Sequence, residues 1–295
     1  HCISSAASDV YKRQTYDAFV IALLMLGIAL FVTEYLSEEK IQTKRTMVSI
    51  LAMVVGCFSK AVYIPFLALY WLMPKDKFYS RRQKNLFKAG IFVLLILMFA
   101  SFILPLIGNV TSGAEVGDYR GGDTSQTSQL SMILGYPLTY TGVLLKSLGT
   151  TFASYFIGSK VLANFAYRGI YDGIGYFVVL LTMLFTFVTD FGMTEKTYDA
   201  QMKRKILMMK IWNAVLIFGT ACLVWTALYL DFTPVGSMVI NGVSPRYYLP
   251  LIFPLSLIFI NQKVRCSMKL ENYQSLIAFL MLIGTGISIY CLMLA

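Results

Sequence analysis

The chain has 295 residues, of which 57% are hydrophobic and 14% charged, with a mean hydropathy of +0.67 and a net charge of +10. Such a composition excludes a water-soluble domain and describes a membrane protein, so the cations are set first against the excess of Lys and Arg in cytoplasmic loops rather than read as a nucleic-acid surface. The single histidine, His1, removes a histidine general base, a Ser-His-Asp triad and a His-ligated zinc. The five cysteines show no C-x-x-C spacing, and Cys57, Cys222 and Cys291 sit in apolar runs as small hydrophobes. No cofactor is indicated, a divalent metal being the one addition the chemistry leaves open, and no nucleic-acid partner is expected.

The opening HCISSAASDVYKRQ, residues 1–14, lacks a start methionine and reads as an adaptor-derived scar. The native chain is expected to begin upstream, making 15–295 a single integral membrane domain and the C-terminal portion of a longer protein. Apolar runs that match a hydrocarbon core of roughly 30 Å lie at 18–36, 89–107, 173–190, 208–230 and 274–294, with a shorter one at 248–261 anchored by Tyr247 and Tyr248. Ser59-Lys60 interrupts 46–74 and Pro65 follows, which predicts two helices meeting at Lys60, each too short to span comfortably at about 1.5 Å per residue. The stretch 130–157 reads as a re-entrant or interfacial helix pair, broken near Pro137 or Gly149. The expected fold is therefore all-α integral membrane: a polytopic transmembrane helix bundle of about eight spanning or half-spanning helices plus that pair.

Of the 25 Lys and Arg, two lie in 1–14, seventeen fill the segments 40–45, 75–88, 196–210 and 263–269, and six remain: Lys60, Arg120, Lys146, Lys160, Arg168 and Arg246. With 46–74 as a hairpin, all four basic segments fall on one side, as the positive-inside rule requires. Asp17, Lys60, the loop 108–172 and the loop 231–246 then face outward.

Charges at membrane depth carry the chemistry, because burying one at mid-bilayer costs on the order of 3 kcal/mol on insertion scales. Lys60 either reaches an anionic head group as a mobile point charge or snorkels to mark the interface. Asp17 either caps the start of its helix or orients a substrate hydroxyl or cation from a cavity. Glu115, Asp118, Arg120 and Asp123 form the densest outward charge, set among glycines; a solvated loop is the competing reading. Arg246, held by Pro245 and flanked by Tyr247 and Tyr248, suits bidentate recognition of phosphate or carboxylate, or else anchors the interface.

In order, Asp17-Ala18, then Lys60, Tyr63 and Pro65 (K-x-x-Y-x-P), then Tyr119, Arg120, Asp123, Gln129 and Pro137, then Pro234-Val235-Gly236 with Arg246, Tyr247 and Pro250 resemble the bacterial membrane family called domain of unknown function 2142. The resemblance runs over essentially all of 15–295. It implies a fold like that of the C-type (GT-C) glycosyltransferases, in a bacterial plasma membrane, with its site facing the extracytoplasmic side. It further implies transfer of a sugar from a polyprenyl-phosphate carrier to a glycan, lipid or protein acceptor. By carry-over Lys60 and Arg246 hold the lipid phosphate, Asp17 is the catalytic acidic residue, Tyr63 and Tyr247 border the substrate, and Tyr119, Arg120 and Asp123 shape the acceptor side. The sequence departs from the family pattern where Ser244 and Pro245 replace an expected Gly-x-Gly before the arginine. The principal catalytic carboxylate of such enzymes would lie upstream of Thr15. A transporter or flippase of a lipid-linked sugar or other anion, and a scaffold of a polysaccharide machine, are the competing functions.

Overall fold

The computed structural model describes residues 2–112, 123–164, 169–189, 200–259 and 268–294. Among these residues every named element is a helix, the one β pairing being an isolated bridge between Asn164 and Ile170. Contacts gather the chain into two compact units, residues 1–149 with 204–244 and residues 150–203 with 245–295.

Four helices are long and apolar enough to cross a membrane: Asp17–Leu36 of α1 (Cys2–Leu36), Arg81–Pro105 of α3 (Arg81–Ser112), all of α8 (Ala200–Phe232), and Leu270–Leu292 of α10 (Leu270–Leu294). They match four of the expected runs. The run at 173–190 appears as α7 (Ile174–Val188), about 22 Å of helix, and that at 248–261 as α9 (Leu249–Phe259), about 17 Å. Neither reaches across a hydrocarbon core over its described residues, so of the about eight spanning or half-spanning helices expected, four are long enough to span.

The break at Lys60 is where the sequence puts it. Helix α2 (Thr43–Cys57) stops, Lys60 adopts an extended backbone (φ −150°), and Ala61–Leu72 follows as a 3-10 helix with Pro65 inside it. The 3-10 form corrects the length argument, because at about 2.0 Å per residue its twelve residues rise about 24 Å, where an α-helix would rise about 18 Å. Its Tyr63, Ile64, Phe66, Leu67, Ala68, Leu69 and Tyr70 are all buried, so the segment is a core element of the first unit. Two of its carbonyls receive side chains: Trp212 Nε1 donates to Ala68 O at 2.9 Å and Lys88 Nζ to Trp71 O at 2.7 Å.

Small residues let α1 and α2 meet closely. Ser49 Oγ, fully buried, donates to Gly27 O at 2.6 Å, and a Cβ added at Gly27 would fall 2.5 Å from Met53 Cγ. At the opposite end from Lys60, the α1–α2 connection is tied by buried charge. Glu34, 1% exposed, receives Arg45 Nη1 at 3.3 Å and Gln42 N at 3.0 Å. Lys77, 2% exposed, donates from Nζ to Ser37 O, Ser37 Oγ and Glu39 O at 2.6, 2.5 and 3.0 Å. Lys205 pairs with Asp76 at 3.3 Å, and Tyr35 donates to Lys205 O at 3.1 Å, which joins α8 to this end. Burial pushes the Lys77 amine below the ordinary lysine range, with Glu34 pulling the other way.

Helix α4 (Gln126–Gly135) is separated from α5 (Pro137–Phe156) by Tyr136 alone. Proline has no N–H to continue the ladder but fits the first turn of a new helix, so the expected break falls at Pro137; Gly149 lies within unbroken α5.

In the second unit α7 and α10 cross on Gly175, Gly284 and Ser288. Ser288 Oγ, buried, donates to Gly284 O at 2.8 Å, and a Cβ at Gly175 would lie 2.5 Å from that same carbonyl. Gly175→Leu is therefore expected to push the helices apart and cost about 2–3 kcal/mol, read as a lower midpoint in thermal unfolding of the purified protein. Gly142→Leu, at a position with open space around the Cβ, serves as the comparison.

Candidate functional site

In the first unit Asp17 and Lys60 meet: Lys60 Nζ donates to Asp17 Oδ1 in an ion pair whose side chains are 16% and 13% exposed. Asp17 does not begin its helix, as the sequence suggested, because α1 already runs from Cys2; its carboxylate is turned to the lysine instead of to free amides. The lysine stands at the helix break, where its own N–H donates to Cys57 O at 3.0 Å and its carbonyl receives Tyr63 N at 3.3 Å. The third of the expected residues here, Tyr63, is fully buried against the core. The pairing joins the start of the apolar stretch Asp17–Leu36 of α1 to the break after α2.

Asp123 is exposed, and its carbonyl accepts from Val235 N at 3.1 Å. Two separated stretches of the sequence thus come together. Pro234-Val235-Gly236 is a tight turn closed by Ser237 N donating to Pro234 O at 3.1 Å, and the φ of +78° at Gly236 suits the third position of a type II turn, where a side chain would be strained. Gln129, fully buried, donates from Nε2 to Thr233 O at 2.9 Å and to Pro234 O at 3.0 Å. Sequence reasoning passed over Gln129 as a functional residue. The signal was its place in the Gln129–Pro137 part of the resemblance, next to the charged loop. Tyr119 and Arg120 lie outside the described residues.

In the second unit Arg246 sits in the 3-10 turn Pro245–Tyr248, half-buried, with its guanidinium 5.8 Å from the Tyr247 ring centroid. That distance is within the range of a cation–π contact. Tyr248, 1% exposed, is held edge-on against Tyr155 and Phe156 at 5.4 and 4.9 Å and fixes the turn in place. Gly242, at φ +79°, precedes the turn, and a Cβ there would strike the Phe232 ring.

Among the described residues no group of three or more His, Cys, Asp or Glu side chains is arranged to hold a metal. Each unit offers a cation near apolar helices: in the first a point charge at Lys60 with its carboxylate partner, in the second a planar guanidinium at Arg246.

No curated protein and no solved structure matches the chain. The model of the family described as predicted membrane protein (DUF2142) matches residues 13–255, which is most of the sequence. The chain belongs to this family of predicted membrane proteins.

Proposed function

We propose that the chain is a C-type membrane glycosyltransferase, moving a sugar from a polyprenyl-phosphate donor to a glycan, lipid or protein acceptor on the extracytoplasmic side of a bacterial plasma membrane. The observation that carries this reading is the Asp17–Lys60 pair at a broken helix. Irregular backbone at membrane depth survives where it is buried in protein or lines a wet cavity, and a lysine held there by a carboxylate is a cation ready to exchange partners. A polyprenyl phosphate is an anion anchored in the outer leaflet, so its phosphate must meet cations at that depth. In this reading Lys60 in the first unit is a cation for the phosphate, and Arg246 in the second unit is by itself a second candidate for that contact. Asp17 releases Lys60 to the donor and then orients an acceptor hydroxyl. A stronger general base deprotonates that hydroxyl, and the acceptor oxygen displaces the phosphate at the anomeric carbon with inversion.

Transfer from radiolabelled polyprenyl-phosphate sugars, measured in membranes containing the full-length protein and Arg246→Ala at equal levels, tests the reading. A loss of about tenfold or more is expected for Arg246→Ala, since charge-assisted hydrogen bonds contribute about 1.5–3 kcal/mol. Undiminished transfer in the variant would remove Arg246 from the phosphate site. A second reading, passage of the same lipid-linked anion across the membrane, draws on the broken helices at Lys60 and Tyr136. Flipping in reconstituted vesicles without transfer would favour it.

A further inference from the structure

The first turn of α4 lies against the segment 231–235 that closes α8. Ser125 caps the helix, its side chain accepting from Ser128 N at 3.3 Å. Gln126 and Gln129, three residues apart, share one helix face. Gln129 uses its amide nitrogen on Thr233 O and Pro234 O, and Gln126 uses its own on Asp231 Oδ1 at 2.5 Å. These partners decide which way each amide points, because the reversed amide would set its oxygen against carbonyls or a carboxylate. Each Oε1 is thereby directed away from the acceptors its nitrogen holds. Both oxygens are buried without a donor, and so is Thr124 Oγ1 just before the cap. By contrast Thr233 Oγ1, also buried, is fully engaged, donating to Leu228 O and accepting from Asn241 N at 3.1 Å each.

A buried acceptor without a donor costs free energy. Three within six residues of chain mark a place where donors arrive from outside it. The chemistry narrows the donor. These oxygens are neutral, the neighbouring carboxylate of Asp231 already receives Gln126, and a divalent cation would have to give up water for amide and hydroxyl oxygens beside an NH2 group. Hydroxyl groups bring one donor each and match neutral acceptors without that penalty. Several hydroxyls fixed on one ring match the two glutamine oxygens on one helix face and the Thr124 oxygen just before its cap. We infer that Thr124, Gln126 and Gln129 form a subsite for the hydroxyls of a carbohydrate, the choice of a carbohydrate among polyols resting on the transfer reading above.

The full chain in nanodiscs, titrated with methyl mannoside, methyl glucoside and methyl galactoside and followed by saturation-transfer NMR, tests the subsite. These probes carry no phosphate or lipid, so the result is independent of Lys60 and Arg246. At least one glycoside is expected to bind, with affinity about tenfold weaker in Gln126→Met and Gln129→Met. Gln126 is half-exposed, so its variant reports on the subsite even where Gln129→Met fails to fold. Absence of binding to the wild type, or equal binding in a folded Gln126→Met, would overturn the inference, as would calcium binding that Gln126→Met abolishes while glycosides leave the spectrum unchanged. Glycoside binding that persists in Arg246→Ala while transfer is lost would separate a failed phosphate site from a working sugar subsite.

Discussion

Lys60→Ala is expected to reduce transfer from a polyprenyl-phosphate sugar by about 100-fold, close to the upper range of a charge-assisted contact to phosphate. It is also expected to destabilise the protein by about 2 kcal/mol, because both charges of the pair are largely buried and deleting one removes compensation from the other. The two effects separate by substitution. Lys60→Arg keeps a cation but presents a planar fork in place of a point charge, and should recover most of the stability and only part of the transfer. Asp17→Asn leaves the amine without its carboxylate, so the donor no longer competes with an internal anion. Its KM for the lipid phosphate should fall while kcat falls further, through loss of the group that orients the acceptor. Transfer by Lys60→Ala equal to wild type, at equal membrane levels, would take Lys60 out of the site.

Glu34→Ala carries the largest expected loss of stability, about 3 kcal/mol, and leaves the Asp17–Lys60 pair at the other end of the apolar stretch in place. The carboxylate is nearly inaccessible and holds both Arg45 and the backbone N–H of Gln42. Its removal leaves Arg45 and that N–H short of an acceptor. The neighbouring Lys77 provides a pH signature. Its amine titrates below the ordinary 10.5 because burial disfavours the charged form, so the unfolded chain binds that proton more tightly. Stability therefore rises with pH as Lys77 deprotonates, between its folded value and 10.5. Glu34 opposes this shift, so in Glu34→Ala the window opens at lower pH. Asp76 runs in the acid direction: its own backbone N–H, and then Lys205, hold its carboxyl below 3.8. The stability it contributes is present above 3.8 and is lost as pH falls through its folded value. Thermal unfolding of wild type and Glu34→Ala from pH 7 to pH 10 checks the prediction. Parallel pH curves would separate Glu34 from Lys77.

The helices were legible because hydropathy and proline act locally. The runs at 18–36, 89–107, 208–230 and 274–294 became helices long enough to span, since a chain in lipid must satisfy its own backbone hydrogen bonds. Lys60 and Pro137 marked breaks for an equally local reason, a charge that lipid resists and a ring that cannot donate. The 3-10 form of Ala61–Leu72 was not legible. Its extra rise per residue is stabilised by burial on every side and by Trp212 and Lys88 reaching its carbonyls, contacts from residues far along the chain.

For the candidate site, composition and charge placement identified Asp17, Lys60 and Arg246 as charges that needed a reason to lie near apolar helices. The sequence by itself thus determined an all-α membrane protein, the positions of its breaks and the short list of charges beside its apolar helices, because each follows from what neighbouring residues permit in lipid. Which charges meet was decided by tertiary structure. Asp17 pairs with Lys60 across 43 residues and Gln129 reaches Thr233 across 104, and no periodicity encodes such pairs, since packing brings them together and the low dielectric around them makes the pairing worth keeping.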